Sequence, residues 1–201
     1  MSLSYRLVRL ASRLLALLLT RCRTVTGIEH IPKSGAAILA GNHISYWDPA
    51  TLVAWVPRPV RFLSKSEMFE VPVLGWIFRH LQVIGLERNS PDLAAIRETM
   101  QVLKQGELVA LYPQGSRVPL PGGRRHPAKG GVLLLAERSG AVIVPVALKG
   151  MDRLFKGRPE VRIAFGPPIA FDDLVQEAAG SRDRSLLLPL LMKRIDNLLA
   201  P

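Results

Sequence analysis

The nine residues from Gly41 to Pro49 constrain the fold of this chain more than any other stretch. They follow a short apolar run at 36–40, which is typical of a buried strand, and the glycine favours a loop after it. They precede a run at 50–56 that can be helical, with Asp48 as the expected N-cap and Pro49 as the first helical residue. His43 is therefore predicted to lie in a loop between a strand and a helix, where reactive side chains are common.

His43 and Asp48 are a candidate catalytic pair. An imidazole exchanges protons near neutral pH, because its ordinary pKa is about 6.5. A carboxylate five residues away can accept a hydrogen bond from one ring nitrogen and stabilise the imidazolium. Ser45 has no G-x-S-x-G setting and the single cysteine, Cys22, lies in a basic leucine-rich segment, so we expect the attacking group to belong to the substrate. The alternative is a structural histidine beside a helix cap.

Length and composition indicate one domain that works at a lipid surface. The chain has 201 residues, enough for one domain with a substantial core. Its net charge is +11 although 48% of its residues are hydrophobic, a combination that favours an anionic membrane as a partner. Aromatic residues make up only 6%, so we expect no nucleic-acid partner. One cysteine excludes an internal disulfide and suits a reducing compartment.

Residues 1–23 are predicted to form an amphipathic helix that associates with a membrane, ahead of a catalytic domain at 24–201. Arg6, Arg9 and Arg13 share one face, and a row of leucines occupies another. The purely apolar part, 14–19, is far shorter than the roughly 20 residues of a membrane span, so we expect the helix to lie in the interface. A helix that packs on the core and a signal peptide are the alternatives.

The remaining chain alternates predicted strands and helices. Pro72 and Gly75 are expected to interrupt the helix at 68–81, and Pro145 is expected to place its strand at a sheet edge or a bulge. The helix at 90–105 is predicted to start at a Ser90 cap and to bury Leu93, Ile96, Met100 and Leu103. The further strands are predicted at 60–63, 82–86, 108–112, 142–148 and 161–166, and the closing helix at 185–199.

Several polar residues follow these strands, where open sheets bind ligands. Lys65 and Arg88 each come after a strand, and a guanidinium matches the geometry of a phosphate. A turn with flexible backbone and hydrogen-bonding side chains follows the strand at 108–112, and Lys129 precedes the next helix. For Lys65 a solvated side chain is the alternative, and for Arg88 a surface pair with Glu87. The candidate substrate-binding residues are Lys65, Arg88, Gln114, Gly115, Ser116, Arg117 and Lys129.

The order of these blocks is similar to that of the 1-acylglycerol-3-phosphate acyltransferase family, which acylates glycerolipid hydroxyls from a thioester donor. The similarity extends from about Gly27 to Gly166. The matching blocks are Asn42-His43 with Asp48 (N-H-x-x-x-x-D), Lys65-Ser66-Glu67, the strand ending at Arg88, Gln114-Gly115-Ser116-Arg117, Lys129-Gly130 and Val144-Pro145-Val146. The resemblance implies a single α/β domain with a mostly buried mixed sheet flanked by helices. It also implies that His43 is the general base, that Asp48 orients it, and that Lys65, Arg88 and Arg117 contact phosphate.

The block Gln114-Gly115-Ser116-Arg117 differs from the family's usual E-G-T-R. Gln114 replaces a carboxylate with an amide, which removes a negative charge and adds a donor. The expected reaction is transfer of a fatty acyl group to a lysophospholipid, with 1-acylglycerol-3-phosphate as the acceptor and acyl-CoA or an acyl carrier protein thioester as the donor. No metal or other cofactor is expected. Another lipid acceptor and a membrane-docking module without catalysis are the alternatives, and the expected location is the cytoplasmic face of a membrane, peripheral or monotopic.

Overall fold

A computed structural model describes residues 2–21, 23–87, 93–117, 127–154 and 157–199. Within these residues seven strands form one mixed sheet and seven α-helices cover it. The strands are β1 (Arg23–Thr26), β2 (Ala37–Gly41), β3 (Val60–Lys65), β4 (Ile84–Leu86), β5 (Leu108–Leu111), β6 (Val142–Lys149) and β7 (Val161–Phe165). The helices are α1 (Leu3–Leu19), α2 (Asp48–Trp55), α3 (Pro72–His80), α4 (Leu93–Lys104), α5 (Gly131–Ser139), α6 (Phe171–Glu177) and α7 (Arg184–Asn197).

The order of strands across the sheet brings the residues that follow β2, β5 and β3 to the same end of the sheet. The order is β1-β7-β6-β2-β5-β3-β4, with β6 and β7 antiparallel and every other neighbouring pair parallel. The carboxyl ends of β2, β5 and β3 therefore lie side by side at the same end of the sheet. In open α/β sheets ligands bind at the carboxyl ends of the strands, at the point where the strand order reverses.

The sheet is buried on both faces. Along β2, Ala37 and Leu39 belong to the core beneath α1 and α2, whereas Ile38 and Ala40 belong to the core beneath α4, α5 and α7. Alternate side chains of an extended strand point to opposite faces, which explains why the strand is apolar throughout. The predicted fold class, an α/β domain with a mostly buried mixed sheet flanked by helices, is confirmed.

The prediction of one helix at 68–81 is wrong at its start. A 3₁₀ turn at Ser66–Phe69 comes first, and α3 begins at Pro72, which suits the first turn of a helix. Gly75 does not interrupt α3 but lies inside it. Glycine is required here because a Cβ at this position would collide with the carbonyl oxygen of Phe69. The glycine therefore allows the 3₁₀ turn to lie against the helix.

The predicted buried face of α4 is wrong in part. Leu93 is 59% exposed, and Leu103 is the only one of the four predicted residues that is fully buried. The other buried positions carry smaller side chains, Ala95, Thr99 and Val102. The Thr99 hydroxyl donates to the Ala95 carbonyl at 2.7 Å, which satisfies a polar group inside the core. The predicted Ser90 cap lies outside the described residues.

Pro145 lies at a bulge and not at an edge. Its strand, β6, has β2 on one side and β7 on the other. A bridge joins Ile143 to Ile169, and regular pairing starts at Val146 with Phe165, so two residues of β6 face three residues of the neighbouring segment. The ladder is therefore interrupted where proline cannot donate a hydrogen bond.

Helix α1 packs on the domain and still exposes its leucines. Tyr5 and Val8 are buried, and the Tyr5 hydroxyl accepts a hydrogen bond from the Val60 amide at 3.0 Å. None of the helices in the described ranges combines the length and the apolar character needed to cross a bilayer. Arg23 pairs with Val161 in the sheet, and the division of the chain after residue 23 stays a prediction. The exposed leucines are Leu3, Leu7, Leu10, Leu14, Leu17 and Leu18.

Candidate active site

The predicted pair forms at the carboxyl end of β2. His43 Nδ1 and Asp48 Oδ2 are 2.7 Å apart, and the loop between them makes one tight turn before α2. Asp48 is completely buried, whereas the side chain of His43 retains 18% of its exposure. Because Nδ1 faces the carboxylate, the second ring nitrogen, Nε2, is the one left for proton exchange with a substrate.

Asp48 is not the N-cap of α2. The helix begins at Asp48 with Trp47 as its N-cap, and Pro49 is its second residue. The Asp48 carboxylate turns back toward the preceding loop, where Oδ2 also accepts hydrogen bonds from the amides of Ile44 at 2.7 Å and Ser45 at 2.9 Å. Two amides and an imidazole therefore fix one carboxylate oxygen, and the loop that carries His43 folds around it.

Asn42 anchors this loop to the neighbouring strand. Its side-chain amide donates to the Leu148 carbonyl at 2.8 Å and accepts from the Leu148 amide at 2.7 Å. The backbone register of β2 and β6 ends at Gly41 and Val146, so the Asn42 side chain continues the pairing after the strand has ended. His43 therefore leaves the sheet in a fixed direction.

Tyr112 packs directly against the imidazole of His43, a contact that sequence reasoning missed. The rings of His43 and Tyr112 are stacked, with centroids 4.1 Å apart and planes inclined by 14°. Leu111 pairs with Ala40, so the sheet register brings Tyr112 beside the residues that follow β2. Burial raises the pKa of Tyr112 well above its ordinary value, and the charge of Asp48 raises it further, so the phenol is neutral. The only signal in the sequence was an aromatic residue at the end of a strand.

The predicted turn after β5 is present, and its first polar residue is buried. The Gly115 amide donates to the Tyr112 carbonyl at 2.8 Å, and a φ of 64° at Gly115 closes the turn in a conformation that favours glycine. Gln114 is only 2% exposed, and its Oε1 has no hydrogen-bond partner in the described structure. Ser116, by contrast, is partly accessible.

Arg117 reaches the loop that carries His43. Its guanidinium carbon lies 3.0 Å from the centre of the Tyr46 ring, and Tyr46 is an exposed residue between His43 and Asp48. Burial lowers the pKa of Arg117, but an arginine remains charged at neutral pH. In the part of the chain that the structure describes, no carboxylate pairs with Arg117, so its charge is available to an anionic ligand.

The other predicted cations differ in how closely they approach the pair. The backbone amide of Lys129 donates to the Pro113 carbonyl at 2.7 Å, and its side chain lies across Gly115, so it borders the same turn. Lys65 is exposed at the carboxyl end of β3, two strands and about 10 Å away from β2. Arg88 lies outside the described residues. The roles of these residues as ligands stay predictions.

The sequence model of the family described as Acyltransferase matches residues 22–149, which include His43 and Asp48, the turn after β5 and the Asn42 anchor. The chain belongs to the acyltransferase family. This membership confirms the resemblance drawn from the order of the sequence blocks.

Named relatives share this part of the chain. A chloroplast 1-acyl-sn-glycerol-3-phosphate acyltransferase of Brassica napus is 30% identical over 133 residues, which cover 65% of this chain and 38% of that protein. A 1-acyl-sn-glycerol-3-phosphate acyltransferase of Bacillus subtilis is 26% identical over 145 residues and 70% of each chain. The chain thus spans less than half the length of the plant relative.

A solved structure has the same fold. The 1-acyl-sn-glycerophosphate acyltransferase PlsC of Thermotoga maritima superposes with a TM-score of 0.73, covering 98% of this chain and 81% of that one, at 23% identity. At this identity the likeness establishes the acyltransferase fold and leaves the substrate to be argued from the site.

Proposed function

We propose that this chain transfers a fatty acyl group from an acyl thioester to the hydroxyl of a lysophospholipid, with 1-acylglycerol-3-phosphate as the acceptor and phosphatidic acid as the product. The observation that carries the proposal is the 2.7 Å contact between His43 and the buried carboxylate of Asp48 in a member of the acyltransferase family. The 1-acyl-sn-glycerol-3-phosphate acyltransferases among its relatives support this choice of acceptor.

The mechanism follows from which ring nitrogen is free. Asp48 holds the proton on Nδ1, so Nε2 of His43 accepts the proton of the acceptor hydroxyl as its oxygen attacks the thioester carbonyl. The carbon–sulfur bond then breaks, and the imidazolium returns the proton to the departing thiolate. The thioester already carries an activated acyl group, so acyl-CoA or acyl carrier protein serves as co-substrate and we propose no further cofactor.

Cationic side chains at the same edge are proposed to bind the phosphate of the acceptor. Arg117 supports this role best, because it is charged, partly desolvated and held over Tyr46 beside the catalytic loop. Lys129 borders the adjacent turn, and Lys65 is proposed to act from the end of β3. Arg88, which follows Leu86 by two residues in the sequence, is proposed as a further phosphate ligand. A buried Gln114 in place of a carboxylate favours a second candidate, an acyltransferase for another lysophospholipid or for an aminoacyl or glycosylated lipid.

Helix α1 is proposed to hold the enzyme on the cytoplasmic surface of an anionic membrane as a peripheral protein. Its exposed leucines form an apolar stripe, and Arg6 and Arg13 are exposed on the same helix. Apolar burial in the interface and attraction to anionic lipids add together in helices of this kind. Val73 and Trp76 of α3, a helix that contacts α1, are also exposed and extend the apolar surface.

Sedimentation with liposomes tests the membrane proposal. The double variant Leu7→Gln, Leu14→Gln should lose binding to anionic vesicles, whereas Leu186→Gln, an exposed leucine on α7, should bind as the wild type does. Equal binding of all three proteins would contradict a role for the α1 stripe.

Thiol release from a long-chain acyl-CoA tests the enzymatic proposal. Release should require lysophosphatidate and should almost disappear in His43→Ala, because general-base catalysis contributes about 10²–10⁴-fold. His80→Ala is the matched control, since in the described structure His80 hydrogen-bonds the Trp76 carbonyl and contacts the Trp76 ring, both within its own helix. Release by a folded His43→Ala at the wild-type rate would refute the mechanism.

The donor and acceptor are varied next. Release from an acyl carrier protein thioester alone would identify the donor, and release with a different lipid acceptor would favour the second candidate. If no donor and acceptor pair gives release while vesicle binding persists in His43→Ala, the chain is a membrane-docking module and the enzymatic proposal fails.

A further inference from the structure

The contact between Tyr112 and His43 joins the catalytic pair to a residue with no part in proton transfer. The stacked rings are 4.1 Å apart, closer than the 4.5–7 Å spacing typical of aromatic pairs. Tyr112 follows β5, and its Cδ1 lies 3.9 Å from the position that a Cβ at Gly41 would occupy, so its ring packs against the end of β2. The sheet register therefore places the phenol ring beside the loop that carries His43.

A hydrogen bond to Asp48 does not by itself fix the catalytic imidazole. The bond locates Nδ1, but the side-chain torsion that turns a histidine ring is broad, so the ring plane remains free to tilt. Tilting moves Nε2, the atom that must meet the acceptor hydroxyl. The ring of Tyr112, which is stacked on the imidazole, restricts this tilting and forms no hydrogen bond with either ring nitrogen.

The hydroxyl of Tyr112 is not what holds the ring. The phenol oxygen is buried without a hydrogen-bond partner in the described structure, as is Oδ1 of Asp48. The neutral phenol lies near enough for the charge of Asp48 to affect it, yet the two residues share no hydrogen bond. The stacking face of the ring is therefore the part of Tyr112 that acts on His43.

We propose that Tyr112 is a positioning residue, which holds the imidazole plane of His43 so that Nε2 points at the acceptor hydroxyl. The kinetic part of this inference rests on the proposed acyl transfer, whereas the stacking part does not. Tyr112→Phe keeps the aromatic face and removes only the hydroxyl. Tyr112→Leu keeps apolar volume and removes the face.

Proton NMR of the His43 ring tests the stack without any substrate. Protons that lie over an aromatic face resonate upfield, and His43→Ala identifies the His43 signals among those of the other histidines. The upfield position should persist in Tyr112→Phe and be lost in Tyr112→Leu. If Tyr112→Leu does not fold, Tyr112→Met replaces it, because the flexible methionine side chain fills irregular space.

Steady-state kinetics test what the stack does. Tyr112→Leu should lower kcat by about 10²-fold, the effect of misplacing a catalytic group by about 1 Å, and should leave the KM for the acceptor unchanged. Tyr112→Phe should restore kcat to near the wild-type value. A residue that only stabilises the fold would lower the melting temperature without separating kcat from KM.

Each result decides the proposal. An upfield shift that survives in Tyr112→Leu, or a wild-type kcat in a variant that has lost the shift, overturns it. A failure of Tyr112→Phe to recover kcat would also overturn it, because the hydroxyl would then be the active part. If the wild type transfers no acyl group at all, the function proposed above fails, and the NMR comparison still tests the stack.

Discussion

Replacing Asp48 with asparagine separates the charge of the catalytic pair from its shape. The amide has the same size, and its oxygen can accept the same three hydrogen bonds, from His43, Ile44 and Ser45. Its nitrogen would then occupy the position of Oδ1, which has no partner in the described structure. We therefore expect Asp48→Asn to fold with the loop intact.

The expected loss of activity follows from the charge that His43 acquires in the proposed reaction. Once protonated, the imidazolium lies next to a carboxylate whose oxygen is 2.7 Å from Nδ1, with the two charge centres about 4 Å apart. At an effective dielectric constant of about 20, opposite charges at this distance attract by about 4 kcal/mol. An asparagine loses that stabilisation in the transition state, so kcat should fall by about 10³-fold.

Thiol release under saturating acyl-CoA and acceptor measures this effect, and circular dichroism checks the fold. Asp173→Asn is the control, because Asp173 also accepts a backbone amide hydrogen bond, from Ala170 at 2.8 Å, but lies on α6 at the far face of the sheet. A folded Asp48→Asn within tenfold of the wild-type kcat would show that the carboxylate charge does not assist His43, and the reasoning would be refuted.

Three further variants test the structure around the site. Asn42→Ala leaves the amide and carbonyl of Leu148 unpaired and should lower the free energy of unfolding by about 1–3 kcal/mol for each orphaned group, measured by urea denaturation. Gly75→Ala forces its new methyl against the Phe69 carbonyl and should cost about 1–3 kcal/mol, seen as a lower melting temperature, whereas an unchanged value would contradict the close approach. Burial raises the pKa of Tyr112, so the native state keeps this proton above about pH 10, where the unfolded chain loses it. Wild-type stability should therefore fall more steeply than that of Tyr112→Phe as the pH rises beyond 10, and parallel curves would contradict this.

The sequence predicted the strands and the contact between His43 and Asp48 because both depend on local pattern. Short apolar runs bounded by glycine and proline are buried wherever they pair, so β2 and β5 were expected within a residue or two of their observed ends. His43 and Asp48 are separated by a single loop, and one turn brings them together. The prediction that Asp48 is the N-cap of α2 was wrong, because its carboxylate accepts from the loop amides of Ile44 and Ser45 and not from the helix.

Contacts that depend on strand order were beyond the sequence. Tyr112 meets His43 because β5 is inserted beside β2 although β3 and β4 come between them in the chain. Arg117 meets Tyr46 for the same reason. Spacing also does not reveal that Gln114 is buried, because the turn that buries it is defined by contacts with Lys129 and the preceding strand.

The hydrogen bonds from Asn42 have a consequence for how the protein is made. They join residues 106 positions apart, so the loop that carries His43 cannot take its final form until Leu148 is available to pair. Long-range contacts of this kind form late, since a large loop must close before they contribute. During synthesis His43 and Asp48 therefore leave the ribosome long before the strand that aligns their loop, and a nascent chain completes this candidate site only after β6 has emerged.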